Sequence, residues 1–332
     1  MFIAQAIRPG THFWTYVLEY LSGLLLIGLA VLVGQAPFTF AVKAKWNAEG
    51  NVGFNIPANK IMTLLEPNLS LLLLLLSYVV IVFAIFGIVR FVHKQTVLSL
   101  TTSRKKLDWN RILFSFGIWA AFTIVSTLLM FAVNPEDFVL AFQPIPFFIL
   151  FVIATVLIPF QTSAEEYIFR GYLMQGLGVI ARNRWFPLVV TSVSFGMLHL
   201  LNPEVDKIGN IIMVYYIGTG FFLGILTLMD EGMELALGFH AANNLFTALL
   251  VTSDWTVFQT YSIFRDISEP STGIDVLLPV VVIFPILLFI FSKKYGWTDW
   301  VGKLTGKIDV KTVQTPHSNT SAYGNHDNAD VS

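Results

Sequence analysis

The chain has 332 residues, of which 55% are hydrophobic and only 12% charged, and a mean hydropathy of +0.70. Soluble domains carry roughly 25% charged residues, so this composition excludes a water-soluble globular protein and marks an integral membrane protein. The net charge of −1 points to no particular partner, and the absence of cysteine excludes a disulfide framework, a thiol nucleophile and a cysteine-based metal site.

A helix crossing a bilayer needs about 20 mainly apolar residues. Runs of this kind lie near residues 15–35, 70–92, 112–133, 140–162, 185–201, 210–229, 234–252 and 275–292. The sequence therefore predicts an all-α fold, a polytopic membrane helical bundle of about eight transmembrane helices. The first run follows Arg8 and exceeds the roughly 7–15 residues of a signal-peptide apolar region, so it is read as a retained span.

The connection after the second run carries Arg90, Lys94, Arg104, Lys105, Lys106 and Arg111, whereas the next carries Asn134, Pro135, Glu136 and Asp137. The positive-inside bias assigns the first to the cytoplasm. Carrying the alternation forward places Arg182, Arg184, Lys293, Lys294, Lys303 and Lys307 there too, and predicts that both termini are cytoplasmic. Lys43, Lys45 and Lys60 fall in an outside loop and oppose the rule mildly. From about Gly296 the chain turns polar without apolar periodicity, the pattern of a disordered tail.

Ionisable side chains in membrane segments persist mainly where they pair, line a polar cavity or do chemistry. Glu165 and Glu166 follow an apolar run interrupted by Pro159, Gln161, Thr162 and Ser163, which suggests a kink or break there. Residues four apart share a helix face, so Glu166 can pair with Arg170 and His240 with Asn244. Glu165 is rotated by about 100° from Glu166, which leaves it free to face a cavity while its neighbour is held by arginine. Glu165 and His199 lie at equal sequence distance on either side of Arg182, in the tight turn Arg182–Asn183–Arg184, and so at similar height on an antiparallel hairpin. Asn243 lies off the His240 face and reads as structural.

Glu165-Glu166-Tyr167-Ile168-Phe169-Arg170-Gly171, then Phe195 with His199, then His240 with Asn244, together resemble the three signature motifs of the CPBP family. These are the CAAX proteases and bacteriocin-processing enzymes, also called Abi or type II CAAX prenyl endopeptidase-like intramembrane proteases. The resemblance covers roughly residues 140–250. The resemblance implies a CPBP-like catalytic helical core over 140–252, and the apolar runs place N-terminal transmembrane helices over 1–139, a C-terminal transmembrane helix over 253–295 and a polar, disordered cytoplasmic tail over 296–332 around it.

The resemblance further implies an intramembrane endopeptidase that cleaves a membrane-associated protein or peptide, prenylated CAAX-type substrates included. In that role Glu165 is the general base that activates water, His199 and His240 orient the water or bind a metal, and Asn244 donates to the oxyanion. Glu166 and Arg170 brace the site. Two histidines and a glutamate match the protein-ligand count of some catalytic zinc sites, so a divalent metal such as zinc held by His199, His240 and Glu165 stays open. The helical His-Glu-x-x-His pattern of soluble metalloproteases is missing. The implied location is a bacterial inner (cytoplasmic) membrane, with the lipid bilayer as partner and no nucleic acid.

Each motif also has a plainer reading. Glu166 with Arg170 forms an ion pair in any helix, Glu165 can sit at an interface, and His and Asn side chains join helices in bilayers. Two further functions therefore stand beside the protease: a catalytically silent scaffold or bacteriocin-immunity membrane protein, and a proton-coupled transporter. The paired broken helices in two related halves that would favour a transporter are not evident in the sequence.

Overall fold

The computed structural model describes residues 1–8, 11–53, 56, 58–269 and 273–309. The N-terminal part comprises α1 (Phe13–Ala48), the single turn α2 (Ala58–Ile61), α3 (Pro67–Phe91), the short α4 (Val97–Thr101) and α5 (Trp109–Val133). Next, α6 (Pro144–Glu166) runs through a π-helical segment (Tyr167–Leu173) into α7 (Met174–Ala181). The remainder is α8 (Trp185–Met197), α9 (Pro203–Ile208), α10 (Ile212–Asp230), α11 (Glu234–Leu250), α12 (Ile274–Leu278), α13 (Phe284–Tyr295) and α14 (Trp300–Thr305).

All eight apolar runs are helical, but six helices, not eight, are long and apolar enough to cross a membrane among the described residues: Phe13–Ala48, Pro67–Phe91, Trp109–Val133, Pro144–Ala181, Ile212–Asp230 and Val276–Tyr295. The other two, Trp185–Leu201 and Glu234–Leu250, fall short of that length. At 1.5 Å per residue the 17 residues of α11 span about 26 Å, less than the roughly 30 Å hydrocarbon core. Their apolar composition serves burial in protein rather than contact with lipid. On α11, Leu235, Ala236, Phe239, His240 and Ala242 are all buried.

α11 is the central helix. One face meets α3 and α6 through Leu75, Ile158 and Leu249. The other meets Trp119, Phe222 and Phe284 through Phe239. Its approach to α5 depends on Gly238, where a Cβ would stand 2.1 Å from the Ile112 carbonyl oxygen.

The helix predicted to kink or break near Pro159 is continuous through it, and the Thr162 hydroxyl donates to the Ile158 carbonyl at 3.1 Å. The irregularity comes later, in the π-helical segment that carries Arg170. Such wide turns often mark functional sites.

The turns predicted to be cytoplasmic gather at one end of the bundle. Phe2 N–H donates to the Glu231 carboxylate, Met233 N–H to Thr101 O at 2.9 Å, and Ile308 N–H to Arg182 O at 2.9 Å. Asp230 accepts there from Arg104, Arg111 and Trp297, and Glu234 accepts from Arg104 at 3.0 Å. The tail expected to be disordered from Gly296 is folded as far as Asp309. Trp297 and Ile308 are buried, and the Lys303 ammonium donates to Met229 O at 2.8 Å. The rest of that tail lies outside the described residues. The opposite end carries a small sheet of β1 (Phe138–Leu140), β2 (Val251–Thr252) and β3 (Phe264–Asp266), in the order β1-β3-β2 with β1 antiparallel and β2 parallel to β3.

Candidate active site

The end of α6 delivers the paired glutamates, and helical rotation sends them to different neighbours. Glu166 is fully buried. Its Oε1 accepts from the Arg170 guanidinium at 3.0 Å and lies 2.8 Å from His240 Nδ1 on α11. Arg170, also fully buried, donates a second nitrogen to the Gly220 carbonyl on α10 at 3.0 Å, and its guanidinium stacks 4.4 Å above the Phe195 ring. α10 comes this close to α8 because residue 220 is glycine: a Cβ there would lie 2.4 Å from Ser192 O.

Glu165 keeps 18% of its side-chain surface exposed. Its Oε2 lies 3.5 Å from His240 Nε2, and its Oε1 accepts from Gln161 at 2.5 Å. His240 therefore stands between the two carboxylates, one at each ring nitrogen. A carboxylate paired with arginine only accepts, so Nδ1 carries a ring hydrogen toward Glu166, and Nε2 faces Glu165.

His199 sits just past α8, in a 3₁₀ turn. Its Nδ1 lies 2.9 Å from Phe195 O, and its ring stacks on Tyr216 with centroids 4.2 Å apart. A carbonyl only accepts, so here too Nδ1 carries the hydrogen and Nε2 is left over. Phe195 touches both histidine rings, at 5.1 Å from His199 and 5.9 Å from His240. Beside His199, Glu204 accepts from Val257 N–H at 3.0 Å through Oε1, while its buried Oε2 has no hydrogen-bond partner.

The structure thus brings Glu165, Glu166, Arg170 and His240 into direct contact and sets His199 across Phe195 from His240. Asn244 joins differently from the expected pairing with His240: its amide donates to Gln161 Oε1 at 2.8 Å. Among the described residues no three His, Asp or Glu side chains are grouped as a metal site. The chemistry below is built from the chain's own residues. Gln161, Tyr216 and Glu204 were not singled out for function by sequence; only the polarity of Gln161 within an apolar run gave a signal.

Fold and site together define a polytopic helical membrane protein with an acid–histidine centre enclosed among its helices. The family model for type II CAAX prenyl endopeptidase Rce1-like proteins matches residues 142–246, the stretch that supplies every group in that centre. The uncharacterized protein YyaK of Bacillus subtilis (strain 168) is 32% identical over 258 residues, covering 76% of this chain and 83% of YyaK. The chain belongs to the Rce1-like family of type II CAAX prenyl endopeptidases, which at family level are intramembrane proteases. No solved structure matches it.

Proposed function

We propose that this chain is an intramembrane endopeptidase in which Glu165 activates a water molecule for direct attack on a peptide carbonyl. The observation that carries the reading is the division of labour around His240: Glu166 holds Nδ1 at 2.8 Å, while Glu165 stands 3.5 Å from Nε2 and is partly exposed. A separation of 3.5 Å is long for a direct hydrogen bond, and it leaves both groups able to engage a water.

In the reaction, Glu165 takes a proton from water as the oxygen bonds to the carbonyl carbon. The proton then passes to the departing amine as the C–N bond breaks. General base assistance of this kind contributes about 10²–10⁴-fold. Asn244 has two amide hydrogens, one of which goes to Gln161, and the other serves the developing oxyanion. His199 offers Nε2 as an acceptor to the water. No Gly-x-Ser-x-Gly elbow or cysteine is present to form an acyl-enzyme.

The substrate class is a membrane-associated peptide or protein, with CAAX-type prenylated tails among the candidates. The basic turns gathered at one end favour an orientation in a bacterial inner membrane with both termini cytoplasmic. The test is cleavage of a panel of membrane-anchored peptides, prenylated and unprenylated, by purified protein in lipid vesicles. Cleavage by the wild type that disappears in folded Glu165→Gln is the expected result, and equal cleavage by both contradicts the proposal.

A further inference from the structure

A furrow of about 450 Å³ lies between α1 and α3, walled by Leu26, Ala30 and Val33 of the first and Val80, Gly87 and Val92 of the second. Every side chain that lines it is apolar. Leu26, Val33 and Val80 are exposed, so the furrow faces lipid. Tyr78, which interacts electrostatically with Glu165, is rotated by about 200° from Val80. The furrow and the acid–histidine centre therefore lie on different faces of α3.

The furrow has one closed end and one open end. It closes at Gly34 and Ser77, next to Val33 and one turn before Val80, where the two backbones touch: a Cβ on Gly34 would stand 2.9 Å from Ser77 O and 3.0 Å from Ser77 Cα. Ser77 is near the middle of the 25-residue α3, hence near the middle of the bilayer. From Val80 to Val92 the rise is about 18 Å, close to one leaflet of a roughly 30 Å hydrocarbon core. Beyond Val92 the furrow leads to the basic end. There His93 Nδ1 lies 3.6 Å from Glu19 Oε2, Glu19 is paired with Arg8, and Arg90 and Lys94 are exposed. Arg8, Arg90 and Lys94 thus stand against the carboxylate of Glu19.

We propose that this furrow binds one acyl chain of an anionic phospholipid from the leaflet at the basic end, with the phosphate at Arg90 and Lys94 and the chain terminus at Gly34. The size fits. An apolar cavity of about 150 Å³ takes the six carbons of benzene, so this one has room for roughly 18 carbons. A closed end at mid-bilayer suits a chain terminus, whereas a helix of a second copy would run the full depth. Gly87 keeps the furrow clear, since a Cβ there would meet nothing within 4 Å. The proposal stands apart from the protease reading and needs no substrate to test.

The full chain is placed in phosphatidylcholine vesicles with a minor share of phosphatidylglycerol that carries a photoreactive diazirine in one acyl chain, and the adducts are mapped by mass spectrometry. The expected result is adducts concentrated on residues 26–33 and 80–92 and reduced severalfold in Gly87→Phe, whose ring fills the furrow. Adducts spread evenly over the exposed faces of α5 and α13 are those of bulk lipid and overturn the proposal. An unchanged map in Gly87→Phe of wild-type thermal transition does the same. Lys94→Gln, at an exposed position, provides a second variant: the advantage of unlabelled phosphatidylglycerol over phosphatidylcholine as competitor is expected to fall about fivefold. An undiminished advantage overturns the anionic occupant. The chain has no cysteine, so oxidative cross-linking of Gly87→Cys into a dimer would report a second copy in the furrow and overturn the proposal as well.

Discussion

His240 Nδ1 lies 2.8 Å from Glu166 Oε1, so the second of the paired glutamates, not the first, takes the ring hydrogen and sets the orientation of the imidazole. The same oxygen accepts from Arg170, and both partners of that ion pair are completely buried. Removing one partner of a buried pair strands the other and costs about 3–5 kcal/mol. Glu166→Gln is therefore expected to lose about that much stability in denaturant unfolding of the detergent-solubilised protein. Glu165→Gln, partly exposed and outside the pair, is expected to cost about 1 kcal/mol or less. Equal losses in the two variants would contradict the assignment of roles.

Gly238 sets the contact between α11 and α5. A Cβ at this position meets backbone atoms, Ile112 O at 2.1 Å and Phe116 N at 3.0 Å, rather than a side chain that can swing away. Gly238→Ala is expected to destabilise by about 1–3 kcal/mol through overpacking and to lower cleavage, since it displaces the helix that carries His240. Thermal unfolding checks the first effect and initial rates the second. Gly28→Ala, where a Cβ meets nothing within 4 Å, is the matched control and should change neither.

Some of this was legible in the sequence. Helical rotation separates Glu165 from Glu166 and pairs Glu166 with Arg170, and both relations are local. The partners of Asn244 and Asn243 were not legible, because Gln161 reaches the first and Trp119 the second from other helices, 83 and 124 positions away. Nor does an apolar run say whether protein or lipid covers it, which is why 234–252, mostly buried against other helices, reads as a span. The order in residues 297–309 had a faint signal in Trp297 and Ile308, two large apolar residues in a polar stretch, both of which are buried.

Glu204 makes part of the stability pH-dependent. Burial raises its carboxyl above the ordinary value of 4.5, offset in part by the Val257 N–H and by His199. The folded state thus favours the protonated form. The stabilisation is fully present below the unfolded-state value and is lost as pH rises through the raised folded-state value. The thermal transition should accordingly fall across that window in the wild type. Glu204→Gln keeps an oxygen for Val257 and cannot ionise, so it should flatten the curve there and exceed the wild type above it. A curve of unchanged slope in Glu204→Gln would remove this carboxyl from the account.

The account turns on water activated by Glu165. The most direct measurement is the initial rate of cleavage of a membrane-anchored peptide in ¹⁸O-labelled water, for the wild type and for Glu165→Gln of matched folding in the same vesicles. The wild type is predicted to place one ¹⁸O in each new carboxyl terminus, and Glu165→Gln to be slower by about 10²–10⁴-fold. Cleavage by Glu165→Gln at the wild-type rate would contradict the central claim.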